Sequence, residues 1–122
     1  MLIPFLVSKI HQATVTATNL DYMGSISIDE EIMEKAGMRE NQKVDVYDIT
    51  NGSRLTTYVI PAPRGSCGIE LNGAAARLVN PGDRIIVAAY ALIDERELDS
   101  RNAVILLMEP DNRIKKVINS RI

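Results

Sequence analysis

The sequence predicts a mainly β fold, a small barrel or sandwich with short helices, on three observations. Short runs rich in Val, Ile, Thr and Tyr recur along the chain between Gly, Pro, Asn and Asp clusters, the pattern of strands separated by turns. Two of these runs flank Asn51-Gly52, a short-range hairpin signal. Only two segments carry the capping and charge pattern of helices. At 122 residues, 46% hydrophobic and 25% charged, the chain has the size and balance of one soluble domain with a single core, residues 1–122.

The first strand is expected over residues 3–10, and a second run covers 14–18. Asp29 as N-cap, Glu30 and Glu31 in the first turn, Lys35 in the last and Gly37 at the exit define a short helix. Its acidic cluster therefore reads as helix-end electrostatics rather than as a metal site. Strands at 43–50 and 54–60 meet at Asn51-Gly52, both of which accept the positive φ of a type I′ turn. That turn reading outweighs the glycosylation acceptor Asn51-Gly52-Ser53. Asn72 is placed to cap a second short helix reaching Leu78, whose small residues Gly73, Ala74 and Ala75 leave the first-turn N–H groups open to a carboxylate. Pro81-Gly82-Asp83 introduces a strand over 84–92, with 85–90 reading as buried on both faces. Runs at 103–109 and 113–118 form a further hairpin around Pro110-Asp111-Asn112.

Charge and composition narrow the function classes. A net charge of -2 gives no long-range attraction for phosphate backbones or anionic lipid, which argues against nucleic acid and membrane partners. The apolar start at 1–7 lacks the basic run and cleavage site of a secretory signal and is too short to span a bilayer. Cys67 is the only cysteine, so an internal disulfide is excluded and a reducing, cytoplasmic setting is expected. His11 is the only histidine, and with no cysteine pair beside it no metal site is expected.

Chemistry-bearing residues remain. Period-2 alternation puts Arg54 and Tyr58 on one strand face, roughly 13 Å apart, so that both side chains can reach opposite ends of one small molecule. Lys9 and His11 share a face in the same way. Taken singly, each cation reads as a solvated edge-strand charge. Gly24-Ser25 is one of three Gly-Ser dipeptides, with Gly52-Ser53 and Gly65-Ser66, and alone reads as a tight turn.

Taken together, Ser8-Lys9-Ile10-His11, Tyr22-Met23-Gly24-Ser25-Ile26, Thr50-Asn51-Gly52, Arg54, Thr57-Tyr58-Val59-Ile60-Pro61, Leu71-Asn72-Gly73-Ala74-Ala75-Ala76-Arg77-Leu78 and Pro81-Gly82-Asp83 resemble the bacterial pyruvoyl-dependent aspartate 1-decarboxylases, in order and spacing. The resemblance runs from Met1 to about residue 118 and implies a double-psi β-barrel, assembled as a homotetramer with active sites between neighbouring subunits.

It also implies a maturation. Ser25 Oγ attacks the carbonyl of Gly24, and the resulting ester eliminates to dehydroalanine, which hydrolyses to a pyruvoyl group with loss of ammonia. The products are a β chain, 1–24, and an α chain, 25–122. Thr57 is the implied donor at this cleavage, although alternation turns it away from Tyr58. A helper protein for maturation is left open. The implied reaction joins the ketone to the amine of L-aspartate as a Schiff base, releases the α-carboxylate as CO2, and yields β-alanine for pantothenate synthesis. Tyr58 is the implied proton donor, Lys9 and Arg54 suit the distal carboxylate, and the N–H groups of Gly73, Ala74 and Ala75 contact substrate. Asn72 and His11 support the site, with Asn72 orienting its loop or assisting maturation. Two alternatives stand beside this reading: a noncatalytic barrel serving binding or assembly, and a decarboxylase of a related acid such as glutamate.

Overall fold

The computed structural model describes residues 1–121, so the last residue of the expected domain, Ile122, lies outside the described residues. In chain order the elements are β1 (Leu2–Thr14), β2 (Ala17–Asn19), β3 (Ile26–Asp29), α1 (Glu30–Ala36), β4 (Lys43–Asp48), β5 (Arg54–Ala62), β6 (Ile69–Asn72), a 3-10 turn (Gly73–Arg77), β7 (Arg84–Asp94), a second 3-10 turn (Glu95–Ser100), β8 (Asn102–Met108) and β9 (Ile114–Arg121). The strands run β2-β6-β3-β5-β4-β7-β1-β8-β9 across the sheet.

Only Val15 and Thr16 separate β1 from β2, so these two behave as one bent strand and close the sheet on itself. Thr16 N–H donates to the Ile69 carbonyl at 2.8 Å, and Ile69 N–H returns a bond to Thr16 Oγ1 at 3.0 Å, which carries β1 across onto β6. The ring β1/β2, β6, β3, β5, β4, β7 is the small, mainly β barrel that the sequence predicts. Two of its pairings, β2 with β6 and β3 with β5, are parallel; the others are antiparallel. The β8–β9 hairpin extends the sheet outside the ring through a parallel pairing of β8 with β1.

Alternation fills the interior. Ile10, Ile26, Ile28, Val44, Val46, Val59, Ile69, Leu71, Ile85 and Val87 are all within 1% of full burial, at every second position of their strands. Each such side chain contributes on the order of 1.5–3 kcal/mol of apolar transfer. Helix α1 covers one end, and its caps are those expected: Asp29 accepts from Glu31 N–H at 2.9 Å, and Gly37 exits at φ 73°. Asp29 also accepts from Gly65 and Cys67 N–H groups. Burial alone would raise its pKa, but these three amides and Arg64 outweigh it and hold the carboxyl below its ordinary range. Buried Asn112 ties three segments together, accepting from Thr14 N–H at 2.7 Å and donating to the carbonyls of Thr14 and Cys67.

Several expectations need correction. Strands β3 and β6 were not predicted, because each is only four residues long and carries polar side chains on its outer face. Strand β1 runs past residue 10 to Thr14, through irregularities at Val7 and Gln12 that let it bend. The β4–β5 hairpin is present, but its turn is a four-residue loop, not type I′. Asp48 N–H donates to the Ser53 carbonyl, and only Gly52, at φ 79°, takes a positive φ. Asp48 decides this, since its carboxylate captures the N–H groups of Thr50 and Asn51. Residues after Asn72 form a short 3-10 turn, and Asn72 makes no side-chain cap. In β7, Ile85, Val87, Ala88 and Ala89 are buried, but Ile86 is half-buried and Tyr90 is 42% exposed, so burial on both faces holds only at its centre.

Candidate active site

The Gly24–Ser25 bond lies where the loop after β2 enters β3. Gly24 sits at φ 63° and Ser25 at φ 93°. Glycine takes such a value freely, whereas for an L-residue a conformation of this kind costs about 1–3 kcal/mol and persists only where its surroundings fix it. Those surroundings are present. Gly24 N–H donates to the Tyr22 carbonyl at 2.8 Å in a three-residue turn, and Asn72 N–H donates to the Ser25 carbonyl at 2.9 Å. Ser25 is 1% exposed, and Asn72 Nδ2 donates both to its Oγ at 3.0 Å and to Ser27 Oγ at 2.9 Å. With Ser25 Oγ accepting in that contact, its own proton is left free to be given up.

Gly73 explains how β6 comes this close. Its φ is 66°, and a Cβ there would stand 2.6 Å from Gly24 N and 2.8 Å from Gly24 Cα. Tyr58 approaches from β5, the parallel neighbour of β3: its hydroxyl donates to the Met23 carbonyl at 2.9 Å, and a Cβ on Gly24 would meet it at 3.8 Å. Gly24, Ser25, Tyr58, Asn72 and Gly73 therefore converge within one chain, whereas the alternation of β5 turns Thr57 to the face of Leu55 and Val59, opposite Tyr58. Ala74 is exposed and Ala75 half-buried at the start of the 3-10 turn.

The cations lie elsewhere on the barrel. Lys9 pairs with Ala88, Ala88 with Asp45, and Asp45 with Thr56, so Lys9 stands three strand spacings from β5, roughly 14 Å along the sheet. No hydrogen bond or ion pair joins it to the Tyr58 region among the described residues. His11, two residues on, has its Nδ1 buried without a partner among the described residues. Burial, then Lys9 and Arg84, push its pKa down, so the imidazole is neutral at pH 7. Arg54 lies on the outer face with Tyr58, its guanidinium carbon 4.4 Å from the centre of the Tyr47 ring. An open groove of about 560 Å³ between β1, β7, β4 and β5 adjoins Tyr58 through its cross-strand neighbour Lys43.

Sequence reasoning missed Ser27, which shares the Asn72 amide with Ser25, and Tyr47, which underlies Arg54. Both were within reach of the pattern: Ser27 follows Ser25 by one strand repeat, and Tyr47 faces Arg54 across the hairpin. Among the described residues no cluster of three or more His, Cys, Asp and Glu side chains is arranged to hold a metal ion, and no helix is long and apolar enough to cross a membrane.

Comparison with known proteins fits this geometry. Residues 1–115 match the family model described as aspartate decarboxylase. The aspartate 1-decarboxylase of Clostridium beijerinckii is 52% identical over 119 residues, covering 98% of this chain and 96% of its own. That of Caldicellulosiruptor saccharolyticus is 54% identical over 119 residues, covering 98% and 93%. The Sulfurimonas denitrificans protein of the same name is 48% identical over 120 residues, covering 98% and 99%.

Proposed function

This chain belongs to the aspartate decarboxylase family, and we infer from that membership that it converts L-aspartate to β-alanine and CO2, supplying pantothenate synthesis. It is a carboxy-lyase. The finer reading concerns how the site is made and which residues act in it. In this reading the chain cleaves itself between Gly24 and Ser25, leaving a β chain, 1–24, and an α chain headed by a pyruvoyl group derived from Ser25.

The single observation that carries this reading is the state of Ser25: buried, held at φ 93°, with its Oγ accepting from the Asn72 amide beside the Gly24 carbonyl carbon it would attack. These residues fit the conversion. The attack forms the Oγ–C bond and expels the Ser25 nitrogen, giving an ester; loss of the Cα proton with the acyl oxygen as leaving group then frees the β chain. Hydrolysis of the dehydroalanine releases ammonia. Asn72 steadies the oxygen as charge moves onto and off it, and Gly73 leaves room for the bond to turn. Thr57 enters as the donor to the Gly24 oxyanion on family membership alone.

In turnover the pyruvoyl ketone supplies the carbonyl that engages the substrate amine and takes up the electrons left by CO2. The chain's own residues do the rest. Tyr58, which in the uncleaved chain holds the Met23 carbonyl, becomes free to return a proton to Cα once the loop end departs. Gly73, Ala74 and Ala75 offer N–H groups to one carboxylate. Arg54 and Lys9 hold the distal one, Lys9 coming from a neighbouring subunit, a reading supported by its three-strand separation from β5 of its own chain. A homotetramer with shared sites is supported by that separation, and by the exposure of Leu20, Tyr22, Met23, Tyr58 and Tyr90 in the single chain. The free thiol of Cys67 supports a cytoplasmic setting.

Intact-protein mass spectrometry tests the reading. The expected result is two fragments divided between Gly24 and Ser25, the C-terminal one lighter by one ammonia than a serine-started peptide. Ser25→Ala should abolish both the break and β-alanine production. An active chain that stays unbroken would end this account of the site.

A further inference from the structure

The outer face of the barrel carries an arrangement that substrate contact alone does not require. Arg54 forms no salt bridge among the described residues, although carboxylates are common on this surface. Its guanidinium lies over the Tyr47 ring, with Cζ 4.4 Å from the ring centre. Tyr47 is itself anchored. Its hydroxyl lies 3.4 Å from Asp45 Oδ2 and 3.1 Å from the Tyr90 hydroxyl, within hydrogen-bond range of both. Asp45 is fixed in turn by Thr56, which donates to Oδ1 at 2.7 Å. The chain of contacts spans β7, β4 and β5, and it holds one ring face against one guanidinium.

We propose that Tyr47 is a positioning residue for substrate binding: its ring holds the Arg54 guanidinium in place without a salt bridge, leaving its N–H groups available to the distal carboxylate. This rests on the reading of Arg54 as a substrate-binding cation. The physical reason is preorganisation. A free arginine loses several rotatable bonds on meeting a carboxylate, whereas one stacked on a ring has lost them already, and a stack occupies the π face while sparing the fork of donors. A salt bridge would hold the arginine as firmly but would consume that fork. The Tyr90 hydrogen bond first, then burial, push the Tyr47 phenol up to about 12, so it stays neutral and does not compete as an anion.

The test uses processed enzyme and two readouts, the KM for L-aspartate and the inhibition constant of succinate, an unreactive dicarboxylate. Tyr47→Leu removes the ring face and is expected to raise both by the same factor, about five- to thirtyfold, with kcat and the fraction cleaved at Gly24–Ser25 unchanged. Tyr47→Phe keeps the face and should stay within about twofold of the parent. Arg54→Gln separates the two layers. If Arg54→Gln raises both constants while Tyr47→Leu leaves them alone, or if Phe is as poor as Leu, the role of Tyr47 is refuted. If Arg54→Gln is itself silent, the assignment of Arg54 fails, and the role of Tyr47 falls with it.

Discussion

Replacing Asp48 with Asn should stabilise this fold at neutral pH and do little near pH 4. Asp48 is 3% exposed, accepts from Thr50 N–H at 2.8 Å and Asn51 N–H at 3.2 Å through Oδ1, and leaves Oδ2 without a donor among the described residues. Beside Oδ2 is the carboxyl of Asp83, also buried. Burial first, and then Asp83, raise the pKa of Asp48 from 3.8 to about 6. At 1.36 kcal/mol per pH unit that interval corresponds to about 3 kcal/mol. Because the folded pKa is the higher one, this stability is fully present below pH 3.8 and is lost as pH rises through about 6. Asparagine keeps the Oδ1 acceptor for the turn and gives Asp83 a neutral N–H donor, so it should retain that stability at every pH. Urea unfolding at intervals from pH 4 to pH 8, with both chains carrying Ser25→Ala so that each unfolds as one polypeptide, measures the difference. The advantage of Asp48→Asn should grow across pH 4 to 6.5 to about 3 kcal/mol and then level off. A difference that does not change with pH would refute the reasoning.

Four further outcomes follow from the site. Gly73→Ala puts a methyl group 2.6 Å from Gly24 N, so a folded variant should show cleavage slowed at least about tenfold by intact mass, and cleavage at the parental rate would remove the close approach from the account. Asn72→Ala takes away the donor to Ser25 Oγ and should slow cleavage by about tenfold or more, where loss of activity with normal cleavage would instead assign Asn72 to turnover alone. Tyr58→Phe should cleave normally yet lose about a hundredfold or more in kcat; unchanged turnover would exclude Tyr58 as the proton donor. Co-expressed Ser25→Ala and Lys9→Ala chains, each inactive alone, should recover activity in mixed assemblies, since one intact site can be built from the two; an inactive mixture would mean that Lys9 serves its own subunit.

Legibility in the sequence followed the range of the interactions. Helix α1 was readable because its signals are local: Asp29 caps within three residues, and Gly37 exits through its own φ. The long strands were readable from their apolar alternation. Strands β3 and β6 were not, because four residues carry little periodicity, and what makes them strands is partners distant in sequence, Ile26 against Val59 and against Leu71. The type I′ turn failed for a related reason. Asn51-Gly52 is a good local signal, but Asp48, three residues before Asn51, offered its amide a stronger partner. Asn72 was expected to cap the turn that follows it, but its side chain bonds instead to Ser25 and Ser27, more than forty residues away. Residue types gave the candidates for a site, and the barrel's closure decided which of them meet in one chain.

The three Gly-Ser dipeptides differ in ways that bear on the cleavage proposed at Gly24–Ser25. In all three the glycine takes a positive φ: 63° at Gly24, 79° at Gly52 and 81° at Gly65. Glycine geometry therefore does not discriminate. The serines do: only Ser25 has a positive φ and is buried, whereas Ser53 is half-buried and Ser66 is exposed, its Oγ serving as acceptor for Gly68 N–H. Strain of about 1–3 kcal/mol at Ser25, even if fully relieved on attack, would accelerate the step by only about five- to 150-fold. That is small beside the resistance of a peptide bond to nucleophilic attack. The strain at Ser25 is therefore too small to supply the rate of the proposed cleavage, which would have to come from the donors around it. In the proposed maturation the neighbours belong to one chain, Asn72 and Gly73 above all, while Lys9 on β1 stands three strand spacings from β5. On the proposed reading, making the electrophile and holding the substrate are separate problems on this barrel, the first solved inside a subunit and the second between subunits.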